Sequence, residues 1–167
     1  MPNQWKQSLT KSAGLLAVLT IVQSFTLSKS ALAQCVPASF SSDWLEQQEE
    51  LGGHTIARHV GKSDQQLVER LINAPRIRAA STYPNLTTAT TNIQAALRAN
   101  ADTLNRWVSG AAIGEKRAVN YTATATIGRV AIRPPSLSNI NSSSKLRAVM
   151  KKTDNGDCLL LTSYPVE

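Results

Sequence analysis

The chain has 167 residues and a formal net charge of +7 at pH 7, with 42% hydrophobic and 17% charged residues. That length holds one domain with a buried core and excludes two such domains. The charge is uneven, because residues 51–167 carry 15 bases against seven acids. A basic body suits a polyanionic partner such as nucleic acid or an anionic surface, although ordinary solubility charge explains it equally well.

Residues 1–33 have the pattern of a secretory signal peptide. Lys6 and Lys11 precede an apolar run over residues 13–22, and Ala31-Leu32-Ala33 matches the small-residue site that a signal peptidase cuts. The apolar run is about half of the roughly 20 residues that a membrane-spanning helix needs. We therefore expect cleavage after Ala33, a secreted or periplasmic protein, and no stable membrane anchor.

The mature chain would hold two cysteines, Cys35 and Cys158. An even number of cysteines in an exported chain favours pairing, because the compartment beyond the membrane is oxidising. We predict a disulfide that ties an extended lead-in over residues 34–42 to the last strand. Lipidation of Cys35 is the weaker interpretation, since Gln34 is bulky where a lipoprotein processing site needs a small residue.

The first half of the predicted domain, residues 43–167, reads as helical. Residues 43–51 form a short helix that ends at Gly52-Gly53, and the capping-box pattern Ser63-x-x-Gln66 begins a second helix that ends before Pro75. A long third helix is predicted over residues 88–108. Its apolar residues recur at helical spacing and form one stripe: Ile93, Leu97, Leu104, Trp107 and Val108.

After Gly110 the pattern changes to that of strands. Apolar and polar residues alternate over residues 119–126, and a further strand over residues 127–133 ends at Pro134-Pro135. Residues 134–144 are predicted as a polar loop. The sequence Asp-Asn-Gly-Asp at residues 154–157 then predicts a β-hairpin. The order predicts an α+β fold, with N-terminal helices packed on a C-terminal antiparallel sheet and a cleft at their seam.

Two histidines lie in the segment Gly-Gly-His-Thr-Ile-Ala-Arg-His-Val-Gly-Lys-Ser, residues 52–63. Imidazole is the commonest acid–base catalyst near neutral pH, so His54 and His59 are candidates, and Arg58 and Lys62 add phosphate-binding capacity. The alternative is that both histidines are ordinary core or surface residues. The spacing lacks the internal glutamate and the i, i+4 histidines of helical zinc proteases, so no metal site is predicted.

The last strand offers two hydroxyl groups. Residues two apart in a strand share a face, so Leu160, Thr162 and Tyr164 are predicted to project together. Thr and Tyr are also good strand formers, and that explanation needs no function.

Three segments together resemble a known family. The run at residues 52–63, the Leu-x-x-Arg-Leu helix at residues 67–71 and the ending Leu-Leu-Thr-Ser-Tyr-Pro at residues 160–165 are similar to the RNase A-like toxin domain of bacteria. That domain forms the C-terminus of contact-dependent growth inhibition proteins and other polymorphic toxins. The resemblance implies an RNase A-like fold and a catalytic set of one His, one Arg, one Thr and one Tyr. Matched motif to motif, these fall at His59, Arg70, Thr162 and Tyr164.

The resemblance implies a metal-independent ribonuclease in which the ribose 2′-OH attacks phosphorus, so DNA should not be cut. His54, Arg58 and Lys62 are assigned to substrate binding, and no cofactor is expected. We expect a monomer that acts on RNA as an antibacterial toxin or an extracellular nuclease, and a toxin would have a cognate immunity protein. Two alternatives remain open. One is a non-catalytic basic module that binds nucleic acid or an envelope polyanion, and the other is a structural envelope protein.

Overall fold

The computed structural model describes residues 34–167, so the predicted signal peptide lies outside the described residues. Within this range no helix is long and apolar enough to cross a membrane. The elements follow in this order: α1 (Trp44–Glu50), α2 (Thr55–His59), α3 (Asp64–Asn73), β1 (Ala79–Thr82), α4 (Leu86–Ala99), α5 (Ala101–Gly110), β2 (Lys116–Thr122), β3 (Gly128–Ile132), a 3-10 helix (Leu137–Asn139), β4 (Ile140–Ser143), β5 (Lys145–Lys152) and β6 (Cys158–Val166).

The strands form two three-stranded antiparallel sheets. One has the order β1-β3-β4 and the other β2-β5-β6. The predicted hairpin is β5–β6, whose connecting turn spans the Asp-Asn-Gly-Asp sequence with Gly156 at φ 90°. Helices come before most of the strands and every strand pair within a sheet is antiparallel, which confirms the predicted α+β class.

The helices are distributed between the two sheets. The main core joins α4 and α5 to the β2-β5-β6 sheet, with Ile93, Leu97 and Leu104 fully buried beside Leu146. A second, smaller cluster joins α3 to the other sheet through Leu67 and Leu71 of the helix and two alanines of β1 and β3. Burial of each leucine or isoleucine side chain stabilises the fold by about 1.5–3 kcal/mol.

The two sheets approach each other at Gly128, the first residue of β3. A Cβ atom at Gly128 would lie 2.4 Å from the Thr82 carbonyl oxygen and 2.5 Å from Cγ of Pro165. Only glycine therefore lets β3 lie this close to both β1 and the end of β6. The close approach sets the distance between the strands that carry the candidate site.

The predicted helix over residues 88–108 is wrong in one respect, because it is two helices divided at Asn100. The Asn100 side chain donates to the Ala96 carbonyl at 2.8 Å, and its own carbonyl accepts from the Leu104 amide at 3.0 Å. The Asn100 side chain thus ends α4 by bonding to a backbone carbonyl of its last turn. The backbone carbonyl of Asn100 accepts a hydrogen bond from the first turn of α5. The apolar stripe continues across the break, which is why its periodicity did not reveal it.

Two short strands were missed. β1 was given no strand assignment, and β4 lies inside the predicted polar loop over residues 134–144. Each is four residues long, and both are held by pairing with β3 rather than by a strong strand pattern of their own. The capping box at Ser63 and Gln66 is confirmed at the start of α3.

Cys35 and Cys158 are joined by a disulfide with a Cα–Cα distance of 4.8 Å. The bond attaches the segment before α1 to the first residue of β6, and the Asn105 side chain accepts from the amides of Cys35 and Val36. Because the Cys35 sulfur is in this bond, it is not available for a lipid.

Candidate active site

A cleft of about 480 Å³ lies where α2, β1, β3, β5 and β6 meet. Six of the seven residues predicted for catalysis or substrate binding line it, and the seventh, Lys62, does not. The six are His54, Arg58, His59, Arg70, Thr162 and Tyr164. Residues from three separate stretches of the chain therefore meet at the predicted seam.

Helix α2 is fixed at its N-terminal end by residues of two other elements. The Glu49 carboxylate of α1 accepts from the amides of Ile56 and Ala57 at 3.0 and 2.8 Å. Such a carboxylate satisfies free amides and complements the helix dipole. On the β6 side, the Thr55 hydroxyl accepts from the Ser163 amide at 2.8 Å. These contacts hold a five-residue helix that would not be stable alone.

The backbone of His59, at the C-terminal end of α2, is tied to the end of β1. The Tyr83 amide donates to the His59 carbonyl at 2.7 Å, and the Gly61 amide donates to the Tyr83 carbonyl at 2.9 Å. Gly61 has a φ of 68°, the left-handed conformation that glycine adopts without strain. The imidazole therefore starts from a fixed backbone.

The imidazole of His59 is fixed as well. Its Nδ1 lies 3.0 Å from the Ser81 carbonyl oxygen, and since a carbonyl only accepts, Nδ1 carries the proton. Nε2 is thereby left as the acceptor. The side chain is only 7% exposed. Burial lowers the pKa of His59 from 6.5 to about 4, although the bond to Ser81 opposes the shift.

A β-bulge in β6 places the two hydroxyl residues. Val149 of β5 pairs with Thr162 and the next residue, Met150, pairs with Leu160, so Leu161 has no partner in β5. The Leu161 carbonyl instead accepts from the His54 amide at 3.0 Å. The bulge therefore also attaches β6 to the start of α2.

The bulge reverses which residues share a face. Leu160 lies in the main core, whereas Thr162 and Tyr164 line the cleft. The prediction that Leu160 projects with the two hydroxyl residues is therefore wrong, because strict alternation fails across the extra residue. Ser163 faces the core, where its hydroxyl lies 2.9 Å from that of Tyr83.

Thr162 and Tyr164 contribute different groups to the cleft. The Thr162 hydroxyl is buried and has no hydrogen-bond partner, which is unusual for a native side chain. The Tyr164 ring stacks on His59, with ring centroids 5.2 Å apart and an angle of 29° between the planes. The cleft is thus lined by Thr162, whose buried hydroxyl has no partner, and by a phenol and an imidazole in contact.

Arg70 projects from α3 toward the C-terminal end of α2. Its Nη1 donates to the Arg58 carbonyl at 3.0 Å, which fixes one of the two terminal nitrogens of the guanidinium group. Burial and then the neighbouring Arg58 charge lower the pKa of Arg70, and a guanidinium remains protonated at neutral pH even so. Two cationic side chains therefore stand at one wall of the cleft.

His54 lies at the N-terminal end of α2 and is less buried than His59. Burial and the Arg58 charge lower its pKa, and the Glu49 carboxylate partly offsets them. Burial and the Arg58 charge thus both favour the neutral form of His54. It lines the same cleft as His59.

Three polar residues of the cleft were not predicted. Arg147 of β5 lies opposite Tyr164 in the ladder and donates to the Asn120 side chain at 3.0 Å. Ser81 supplies the carbonyl that orients His59, and Glu167 lines the rim. The pairing that brings Arg147 beside Tyr164 follows from the hairpin register. The predicted hairpin could therefore have identified Arg147 as a residue of the site.

The arrangement brings together a neutral imidazole that can accept a proton, guanidinium groups and hydroxyl donors. These are the groups needed to remove a proton from an alcohol and to stabilise charge on a phosphoryl group. Within residues 34–167, no group of three or more His, Cys, Asp or Glu side chains is arranged to hold a metal ion.

Comparisons with known proteins point to one family. The family model described as the bacterial CdiA-CT RNAse A domain matches residues 53–165. Among solved structures, the chain is similar to one in the crystal structure of a CdiA-CT/CdiI complex from Y. kristensenii 33638, with 26% identity and a TM-score of 0.61. That match covers 69% of this chain and 100% of the other. The comparison with curated proteins gives no match.

Proposed function

Because the chain belongs to the family of bacterial CdiA-CT RNase A domains, with a match over residues 53–165, we propose that it is an exported ribonuclease toxin that cleaves RNA without a metal ion. The observation that carries the proposal is the state of His59. Its imidazole is neutral and oriented by Ser81, and it faces a cleft that also holds Arg70 and the unpartnered Thr162 hydroxyl.

The first step is removal of a proton from the ribose 2′-OH. Nε2 of His59 accepts it, because Nδ1 already carries a proton that is bonded to the Ser81 carbonyl. With a pKa of about 4, His59 is almost entirely in the accepting form at pH 7. A phosphodiester bound beside it brings a negative charge, which raises the pKa and makes the imidazole a stronger base.

In the second step the 2′-oxygen attacks phosphorus while the bond from phosphorus to the 5′-oxygen breaks. The other terminal nitrogen of Arg70 and the Thr162 hydroxyl donate to the phosphoryl oxygens, where negative charge develops. The Tyr164 hydroxyl donates a proton to the leaving 5′-oxygen. The resulting phenolate regains a proton from water and the His59 imidazolium gives its proton to water, which restores both groups.

Export and a toxin role belong to the same proposal. Residues 1–33 carry the signal-peptide pattern, and a disulfide is the bond expected in an oxidising compartment. The Y. kristensenii CdiA-CT was crystallised with CdiI. By analogy we propose that this protein has a cognate immunity protein, and that the partner covers the cleft.

The direct test is cleavage of total tRNA by the purified protein in EDTA, beside His59→Ala and His54→Ala. We expect the wild type to cut RNA and leave a matched DNA oligonucleotide intact. His59→Ala should lose about 10²–10⁴-fold in rate, the range typical of a general base, and His54→Ala should lose less. Retained activity in His59→Ala, or activity that EDTA abolishes, would contradict the proposal. Tight RNA binding without turnover would instead favour the non-catalytic module.

A further inference from the structure

A second pocket, of about 440 Å³, lies beside the catalytic cleft on the α3 side. The two share Arg58, Arg70 and Ile77, so the paired arginines form a ridge between them. We call it the α3 pocket. Lys62, the predicted substrate-binding residue that the catalytic cleft lacks, lines the α3 pocket together with Gln66.

The α3 pocket is already formed without a ligand. The capping box of Ser63 and Gln66 fixes the start of α3 at one side. At the other, Arg133 donates to the carbonyl oxygens of Leu71, Ala74 and Ile77, at 2.5, 3.1 and 2.9 Å. These bonds hold the turn after α3, which forms the far wall. A ligand would therefore not have to order this part of the chain.

Lys62 lines the α3 pocket and has no acidic partner within residues 34–167. Its amide is held by the Thr82 hydroxyl at 2.9 Å, so the backbone is fixed while the side chain stays free. The nearest acid in the sequence, Asp64, is engaged by Arg129 at 2.6 Å, and this is the only ion pair within residues 34–167. No Asp or Glu lines the α3 pocket.

The rest of the lining is apolar. Leu67, Ala74 and Ile77 give the α3 pocket a surface on which a flat, apolar group can lie. Cationic and apolar side chains side by side suit a nucleotide. The cations can bind its anionic phosphate, and the apolar residues can contact one of the two apolar faces of its base. A single strand carries one phosphate per nucleotide. A strand that crosses the ridge therefore places neighbouring phosphates on its two sides.

We propose that the α3 pocket binds the next nucleotide of the strand, one position beyond the two that flank the cleaved bond, with its phosphate on Lys62 and Arg58 and its base on the apolar residues. The proposal rests on the ribonuclease function. It makes the enzyme specific for an RNA strand rather than for an isolated dinucleotide, because one phosphodiester cannot occupy both pockets.

The test compares kcat/KM for a dinucleoside monophosphate with kcat/KM for the same unit extended by one nucleotide, on the 5′ side or on the 3′ side. We expect one extension to raise the wild-type value about tenfold, as a charge-assisted hydrogen bond to phosphate would. Lys62→Ala should reduce this ratio toward one. Arg106→Ala, which removes one charge from α5 outside both pockets, should keep the wild-type ratio. An equal ratio in Lys62→Ala and the wild type, or no gain from either extension, would overturn the proposal.

A second measurement separates failure of the α3 pocket from failure of the ribonuclease function. If the folded wild type cut no RNA at all, the ribonuclease proposal would fail, and binding of a single-stranded oligodeoxynucleotide to His59→Ala would still test the pocket. We expect log Kd to rise with log salt, with a slope about 0.7 smaller when Lys62→Ala is added, because one phosphate contact is lost. An unchanged slope would refute phosphate binding at Lys62.

Discussion

Replacement of His59 by glutamine should change how the stability of the fold depends on pH. In the folded protein the pKa of His59 is lowered to about 4, chiefly by burial, and in the unfolded chain it is near 6.5. Between these values the unfolded state binds a proton that the folded state does not. The free energy of unfolding therefore falls as the pH falls from 6.5 toward 4.

The magnitude follows from the size of the shift. At about 1.4 kcal/mol per pKa unit, the lowered pKa corresponds to about 3 kcal/mol in full. About 2 kcal/mol of this should be lost between pH 7 and pH 4.5, from a typical total of 5–15 kcal/mol. Glutamine does not titrate, so His59→Gln should lack this part of the pH dependence.

The assay is urea unfolding of the wild type and His59→Gln at pH 7 and pH 4.5, with intrinsic tryptophan fluorescence as the probe. Other groups that titrate in this range are present in both proteins and cancel in the difference. We expect the wild type to lose about 2 kcal/mol more than the variant. Equal losses, or an NMR titration that places the His59 imidazole near pH 6.5, would refute the reasoning that burial keeps His59 neutral.

Three other substitutions test the remaining groups. Thr162→Val should lower RNA cleavage by about 10–100-fold while urea unfolding shows stability unchanged within about 1 kcal/mol, because the buried hydroxyl has no partner in the fold; a large loss of stability would contradict this. Arg70→Lys should lower kcat/KM by about 100-fold although it keeps the charge, since a lysine cannot bond to the Arg58 carbonyl and to phosphate in one plane; near-normal cleavage would mean that charge alone suffices. Cys35→Ser should reduce the free energy of unfolding by about 2–5 kcal/mol, because the bond to Cys158 closes a loop with a sequence separation of 123; two free thiols in native wild-type protein, found by mass spectrometry, would contradict the pairing.

The sequence predicted those parts of the fold that local patterns determine. The hairpin around Gly156 and the helix capped by Ser63 depend on turn and cap chemistry within a few residues, and both were found. The break at Asn100 was missed, because the apolar stripe has the same periodicity on both sides. The short strand β1 depends on a partner about 50 residues away in the chain, from Ala79↔Ile132 to Thr82↔Arg129, and no local pattern marks it.

The candidate site shows the same division. The residues His59, Arg70, Thr162 and Tyr164 were predicted from the resemblance to a known family, and the fold brings all four to one cleft. The bulge at Leu161 could not be read from the alternation of the strand, since it arises from pairing with β5. The environment that sets the state of an imidazole, here burial and the Ser81 carbonyl, exists only in the folded chain.

In the proposed reaction His59 activates the ribose 2′-OH, and the ends of the cleaved strands test this role most directly. The substrate would be a DNA oligonucleotide with one internal ribonucleotide, incubated with the protein in EDTA and resolved by mass spectrometry. We predict a single cut, 3′ to the ribonucleotide, that leaves a 2′,3′-cyclic phosphate and a 5′-hydroxyl and is lost in His59→Ala. A 5′-phosphate end, or cleavage at a deoxynucleotide, would contradict it, because neither arises from attack by a 2′-oxygen.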